Sequence, residues 1–370
     1  MSSAVAIEAA VDDAAPPAYA AAGVDTADAA RAVASLVDVL RTTDVKGGSR
    51  CVLASGHYAA VLRIGENTGL ALSTDGVGSK ALVAEQLGDY TTIGVDCVAM
   101  NANDIICVGA TPIAMLDYLA VEQADAQVLR EIGQGLKHGA EEAEIEVPGG
   151  ELAQLPEIIR GVAEGTGFDL SGTCVGLVEL DSMITGAACE PGDAIIGLPS
   201  SGVHANGLTL ARRALGVSGD FSSSAPGPRD LSVLRTLLTP TLIYVRAVRA
   251  LLETSVDVRG LAHITSDGYL NLRRLEARVG FEIARPLPVP AIFSLIQEAG
   301  NVGSAEMYEV FNMGCGFCVV LPADQAPRAL EVLTDSFAEA DVIGWVTNRE
   351  DEVHLPSVRL RSAGNHFCKS

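Results

Sequence analysis

Ser73-Thr-Asp-Gly-Val-Gly-Ser-Lys80 and the later run Ile93-Gly-Val-Asp-Cys-Val-Ala-Met-Asn-Ala-Asn-Asp104 decide how this chain is read. The first is an acidic glycine turn at the end of an apolar strand pattern, Leu70-Ala-Leu-Ser-Thr74. The second sets Asp96, Asn103 and Asp104 in an otherwise apolar segment. At about 100° per residue, Asp96 and Asn103 fall on nearly one helix face and Asp104 flanks it. A helix apolar all round is buried, and buried carboxylates are costly without a cation or donors. Two readings follow. The carboxylates serve a metal or phosphate site, or Asp96 caps the helix while Asn103 and Asp104 satisfy nearby backbone.

The glycine turn also admits rival readings. It is not a P-loop, which needs GxxxxGK[ST]. Gly76-Val-Gly-Ser-Lys-Ala81 fits the loose dinucleotide pattern GxGxxA, with Asp96 at the spacing of a ribose-binding acid, so a nicotinamide-dependent oxidoreductase stays open. Asp75, however, puts an anion where a pyrophosphate would lie. A magnesium ion removes that conflict, because it binds through one or two carboxylates plus substrate phosphates.

Bulk properties narrow the field. A chain of 370 residues suggests two domains. Hydrophobic residues make up 48% and charged residues 19%, which describes a globular protein with ample core. The net charge of −22 argues against nucleic-acid binding, since phosphate contacts need clustered Lys and Arg. Lysine occurs only at positions 46, 80, 137 and 369, and Lys46 and Lys80 both lie beside glycine turns. The eight cysteines sit mostly in apolar runs and read as reduced thiols of a cytoplasmic protein. Cys315-Gly-Phe-Cys318 lies in a strand-like run with no second pair to complete a zinc site, so it reads as structural. No apolar run reaches the roughly 18 residues that span a bilayer.

Along the chain, residues 1–17 read as a disordered leader. Helices are predicted over 27–40, 79–87, 96–108, 125–140, 206–215, 241–253 and 268–277. Strands are predicted at 58–64, 70–74, 92–95, 113–120, 172–180, 194–198, 280–285 and 316–321. This is an α/β pattern with a boundary near 181–192 and an exposed Gly/Ser/Pro-rich loop over 216–230. Three further constellations stand out. Gly149-Gly-Glu151 reads as a tight turn that brings backbone close to a ligand or merely carries a solvated Glu. Ser200-Ser-Gly-Val-His-Ala-Asn-Gly207 puts Ser201, His204 and Asn206 before a helix, where N–H groups attract anions or Asn206 simply caps it. His263-Ile-Thr-Ser-Asp-Gly268 offers Thr265, Ser266 and Gly268 as a phosphate cradle or a plain helix start.

These segments, in this order, resemble the phosphoribosylformylglycinamidine cyclo-ligase (AIR synthase) family. Further support comes from Ala22-Gly-Val-Asp25, Gly109-Ala-Thr-Pro112, Asp117-Tyr-Leu119, Leu238-Thr-Pro-Thr-Leu-Ile-Tyr-Val245 and Glu306-Met-Tyr-Glu-Val-Phe-Asn-Met-Gly314. Three departures are visible. Ser266 and Asp267 replace two glycines of the family's His-x-Thr-Gly-Gly-Gly. Leu152 stands where a Thr is usual. The glycine loop at Lys46-Gly47-Gly48 is shorter than the family's nucleotide-covering loop.

The resemblance implies an α/β fold of the α+β type. Residues 18–185 form an ATP/magnesium-binding and dimerisation domain, 186–350 a substrate domain and 351–370 a tail. The N-terminal sheets of two subunits would pair into a closed barrel, making a homodimer. The implied reaction is ATP-dependent ring closure of formylglycinamidine ribonucleotide to 5-aminoimidazole ribonucleotide in purine biosynthesis. Alternatives are a related phosphotransferase such as a thiamine-monophosphate kinase, or a non-catalytic nucleotide-binding homologue. By the same resemblance, Asp75, Asp96 and Asp104 are assigned to magnesium. Lys46, Gly47, Gly48, Asp75, Gly76, Gly78, Lys80, Asn103 and Asp104 are assigned to ATP, and Ser201, His204, Asn206, Thr265, Ser266 and Gly268 to the ribonucleotide. His204, Glu151 and Lys80 are the catalytic candidates, with His204 suited to proton transfer. No nucleic-acid or membrane partner is implied.

Overall fold

The apolar alternation that begins at Leu70 builds the middle of a six-stranded sheet in the first half of the chain. A computed structural model describes residues 17–54, 56–217 and 231–370. The leader expected over 1–17 and the loop expected over 216–230 lie almost entirely outside these residues. The first sheet contains β1 (Cys51–Leu53), β2 (Ala60–Arg63), β3 (Thr68–Gly76), β4 (Thr111–Val121), β5 (Glu146–Gln154) and β6 (Phe168–Glu179), in the order β1-β2-β3-β6-β4-β5. Only the β4–β5 pair is parallel. Helices α1 (Ala18–Ala21) and α2 (Thr26–Leu40) precede it, and α3 (Ala81–Leu87), α4 (Ile93–Ile106) and α5 (Ala126–Ala143) lie within it.

Helix α4 packs on one face of this sheet, against β3, β4 and β6, and α5 packs on α4. The other face carries Leu62, Leu70, Leu72 and Val175 half-buried, and Ile113, Leu116, Tyr118 and Leu177 exposed. Helix α2 is capped by Asp25, whose carboxylate accepts from Asp28 N–H. Its predicted apolar side forms, yet Val33, Leu36 and Leu40 remain exposed on it.

The second half builds an eight-stranded sheet from β7 (Ala194–Pro199), β8 (Gly260–His263), β9 (Gly280–Ile283), β10 (Cys315–Leu321), β11 (Asp341–Thr347), β12 (Val353–Leu355), β13 (Leu360–Ala363) and β14 (His366–Lys369). Their order is β14-β13-β12-β9-β11-β7-β10-β8. Around it lie α6 (Leu208–Ala214), α7 (Leu231–Leu238), α8 (Val245–Leu252), α9 (Ala291–Gly300), α10 (Ser304–Val310) and α11 (Ala326–Leu333). Every residue of β10 is buried, and the Cys315 and Cys318 thiols lie 3.6 Å apart inside it.

Four readings are corrected. Residues 92–95 are not a strand: Ile93 opens α4, and a Cβ on Gly94 would stand 2.2 Å from the Leu136 nitrogen, so the helix is set by its close approach to α5. Gly149-Gly150 is not a turn but the middle of β5, where a Cβ on Gly150 would stand 2.3 Å from an Asp117 carboxylate oxygen. The helix expected over 268–277 is a 3-10 turn, Gly268–Arg274. The expected tail is not separate either. Residues Val353, Leu355, Leu360 and Phe367 are buried, and β12 joins the second sheet beside β9. Strands this short, broken by polar residues, carry too little periodicity to read.

Candidate active site

Helix α4 is buried along almost its whole length and points its polar groups in two directions. On one side, Asp96 and Asn103 face the extended segment 239–244 of the second half. One Asp96 oxygen accepts from Lys80 Nζ at 2.8 Å, Thr241 N–H at 2.8 Å and Thr241 Oγ1 at 2.6 Å. Lys80 also donates to the Thr239 carbonyl at 2.6 Å. Asn103 donates to the Leu242 carbonyl and accepts from Tyr244 N–H, both at 2.9 Å. Lys80, Asp96 and Asn103 are all fully buried. Burial lowers the Lys80 pKa, and Asp96 opposes that shift. The shared face predicted for Asp96 and Asn103 is real, but its partner is protein backbone. These three residues tie the two halves together.

On the other side, α4 meets the end of β3. The Asn101 side chain accepts from Asp75 N–H at 2.9 Å and donates to the Asp75 carbonyl at 3.1 Å, fixing the turn. Asp104 is held by His263 Nδ1 at 2.9 Å and by a long contact from Ser73 Oγ at 3.4 Å. His263 is itself fully buried at the end of β8. Burial, followed by repulsion from Asp104, pushes the Asp75 carboxyl up to about 6. Gly76 N–H, His263 and Arg274 oppose that rise.

The facing wall comes from the second half and from the segment before β2. Arg274 places its guanidinium carbon 5.1 Å from the centre of the Tyr58 ring and pairs with Asp267 at 3.3 Å. Burial would lower the Arg274 pKa, but Tyr58, Asp267 and Asp104 together raise it. Tyr58 donates its hydroxyl to the Asn271 carbonyl at 2.8 Å. His57 lies edge-on to Tyr58, and burial lowers its pKa. Asp75 and Asp104 thus form a carboxylate pole, and Arg274 a guanidinium pole within electrostatic reach of it.

Two crowded carboxylates, one held partly protonated, are a natural seat for a dication. Among the described residues, no group of three or more His, Cys, Asp or Glu side chains gathers to hold a metal unaided. Two carboxylates are the hard oxygen donors through which magnesium binds when substrate phosphates and water would fill its other positions.

The other predicted residues are scattered. Lys46, Gly47 and Gly48 form an exposed turn whose glycines adopt left-handed φ of 92° and 88°. Gly76 N–H donates to Asp75 Oδ1, and Gly78, at φ 54°, turns the chain from β3 toward α3. Glu151 is exposed and pairs with Tyr118, whereas the row on the α4 side runs Asp75, Gly172, Asp117, Gly150. Paired residues share a face, so Glu151 points away from Asp75 and is not brought to this cluster. Asp117, raised by burial, shares the Asp75 face two strands away.

His204 is 1% exposed, and its Nε2 accepts from Ser201 N–H at 3.2 Å. Burial, then His263 and Lys80, drive its pKa well down. In this structure His204 is thus an enclosed, neutral imidazole. Ser201 donates to the Pro240 carbonyl, and Asn206 contacts Met100 Sδ instead of capping a helix. Thr265 N–H and Oγ1 both bond Asn271 Oδ1. A Cβ on Gly268 would stand 2.0 Å from the Tyr308 carbonyl, so that glycine serves packing. Ser266 is exposed beside Asp267. Sequence reasoning gave no role to Asn101, His263, Arg274, His57 or Tyr58. Asn101 and His263 stood in quoted motifs, while Arg274, His57 and Tyr58 carried no local pattern.

The sequence profile of the AIR synthase related protein N-terminal domain matches residues 56–178, and that of the C-terminal domain matches 190–355. The phosphoribosylformylglycinamidine cyclo-ligase of Methanothermobacter thermautotrophicus is 48% identical over 344 residues, covering 91% of this chain and 96% of that one. Its counterpart in Methanobrevibacter smithii is 45% identical over 337 residues, covering 90% and 95%. Among solved structures, a HypE–HypF complex superposes with TM-score 0.58 at 18% identity, covering 81% of this chain and 89% of that one. AaThiL complexed with AMPPCP and TMP gives TM-score 0.55 at 18% identity, covering 87% and 92%. Those two likenesses concern the fold. With both domains matched and close relatives spanning nearly the whole chain, the protein belongs to the phosphoribosylformylglycinamidine cyclo-ligase family of AIR synthase related proteins.

Proposed function

We propose that this chain uses ATP to close the imidazole ring of formylglycinamidine ribonucleotide, giving 5-aminoimidazole ribonucleotide, ADP and phosphate in purine biosynthesis. The observation that carries the reading is the neighbouring carboxylates Asp75 and Asp104, with the Arg274 guanidinium close enough to act on both. A formamide oxygen is a poor leaving group. Its attack on the γ-phosphorus of ATP makes an imidoyl phosphate, and the substrate's own amidine nitrogen then attacks that carbon and expels phosphate. The departing phosphate is basic enough to take the proton that the nitrogen loses, so no buried side chain need do so. Positioning and charge neutralisation then supply most of the rate.

Asp75 and Asp104 would hold a magnesium ion against the ATP phosphates, where it would spread the charge that develops on them. His263 donates from Nδ1 to Asp104 and fixes that carboxylate. Asn101 fixes the Asp75 backbone. The Lys80–Asp96 pair keeps the two walls in register without touching substrate.

A homodimer belongs to the same proposal. Ile113, Leu116, Tyr118 and Leu177 form an exposed apolar surface on the first sheet. Such a surface on a monomer marks an interaction site, and a second copy of the sheet would cover it as a barrel. A cytoplasmic location is also part of the reading. No described helix is long and apolar enough to cross a membrane.

The test is phosphate release from ATP and magnesium, with and without formylglycinamidine ribonucleotide, with aminoimidazole product followed in the same tube. Coupled release and product support the reading. ATP binding without substrate-dependent release points to another acceptor or to a regulator.

A further inference from the structure

We propose that Arg274 is the anchor for the phosphate ester of the ribonucleotide, and that Asp267 occupies this anchor until the ester displaces it. The inference rests on the cyclo-ligase reading and names the substrate contact that reading lacks. Arg274 and its neighbour Arg273 leave the same 3-10 turn with different fates. Arg273 donates to the Gly364 carbonyl and to Asn365, binding the turn to the C-terminal hairpin. Arg274 lies over the Tyr58 ring and makes one 3.3 Å contact to Asp267. A guanidinium has five N–H donors in a rigid fork, so most of its capacity is unspent. Stacking on Tyr58 holds the plane of the fork.

The neighbourhood suits a dianion. His57 adjoins Tyr58, and with only the Thr185 backbone close to its ring at least one buried ring nitrogen has no hydrogen-bond partner. Glu276, Arg274 and Asp104 all act on His57 electrostatically, so it lies near both poles. ATP phosphates would be served at the carboxylate pole, where Asp75 and Asp104 would hold a divalent cation to neutralise them. The ribonucleotide brings its own phosphate and needs a fixed cation. Lys80 is not available, because Asp96 and Thr239 take its ammonium in the interior. In a chain of net charge −22, a guanidinium held by a single carboxylate contact is a local exception to the global field.

Asp267 is the acid found in place of a family glycine. Its side chain is 55% exposed and that of Arg274 is 35% exposed. An exposed, single-contact ion pair is weak, whereas a phosphate dianion engages the fork at two points. The carboxylate therefore yields to a dianionic ester and resists weaker monoanions.

The test compares formylglycinamidine ribonucleotide with its dephosphorylated ribonucleoside. Arg274→Met should raise KM for the ribonucleotide by about thirtyfold, in the range of a lost charged hydrogen bond. KM for ATP should stay within about twofold, and the preference for ribonucleotide over ribonucleoside should vanish. Arg274→Lys should recover part of the loss, because charge returns without the fork. Asp267→Asn should lower the ribonucleotide KM by roughly two- to fivefold, the scale of an exposed pair. A rise in KM for ATP instead, or an unchanged preference for the ribonucleotide, overturns the proposal. Calorimetric titration of ribose 5-phosphate into the full chain and its Arg274→Met variant gives a second readout. Binding lost in the variant supports the anchor, and equal binding overturns it. A wild-type protein that binds ribose 5-phosphate through Arg274 yet closes no ring would sink the cyclo-ligase reading alone.

Discussion

Lys80 Nζ lies 2.8 Å from Asp96 Oδ1, with neither side chain exposed. The pair joins the glycine turn after β3 to α4, and through Thr239 and Thr241 it reaches the second half. Two residues that look like phosphate and metal ligands are thus the bolt between the domains. Removing one member of a buried pair strands the other charge and costs about 3–5 kcal/mol. Lys80→Met should therefore destabilise the protein by that amount in chemical denaturation. Adding Asp96→Asn should recover much of the loss, because the neutral amide still accepts from Thr241. A Lys80→Met protein of wild-type stability would refute the structural role.

Asp75 links stability to pH in the opposite sense from a salt-bridged acid. Its carboxyl sits at about 6 in the fold, against 3.8 as its ordinary value. The folded state therefore binds the proton more tightly than the unfolded chain. Stability from this group is present at low pH and is lost as pH rises from about 4 through about 6. A gap of roughly two units makes ionised Asp75 cost about 2–3 kcal/mol at neutral pH. Without magnesium, Asp75→Asn should raise Tm at pH 7.5 and change it little at pH 4, while abolishing turnover. A variant that melts lower than wild type at pH 7.5 would show that Asp75 is not strained.

His263 is a positioning residue for Asp104. His263→Phe should cut turnover by about tenfold, roughly 1.4 kcal/mol in barrier, and raise the magnesium concentration needed for half-maximal rate. His263→Asn, which keeps a donor, should restore part of both. If magnesium dependence stays fixed while stability falls, His263 serves packing alone.

Leu116 and Tyr118 are 54% and 43% exposed on the open face of the first sheet. Sedimentation velocity at micromolar concentration should show a dimer for wild type, and Leu116→Asp should shift it to monomer. A wild-type monomer over the same range would contradict the barrel.

What the sequence made legible was local. The strand ending at Asp75 and the shared face of Asp96 and Asn103 follow from chain periodicity alone. Their partners do not, because Thr241 lies 145 residues from Asp96. No spacing rule says whether a buried acid meets a cation or a distant backbone. Gly94 and Gly150 misled for one reason: both are small because another chain segment approaches, a tertiary cause with no local mark. Tyr58 and Arg274 come from opposite halves of the chain and converge only when the sheets are assembled.

The most direct test of the central claim measures coupled turnover of Asp104→Asn at saturating magnesium, with denaturant stability recorded on the same preparation. The account predicts at least a tenfold loss of turnover, about 1.4 kcal/mol, in a protein that still folds. Turnover equal to wild type would remove Asp104, and with it the carboxylate pole, from the chemistry.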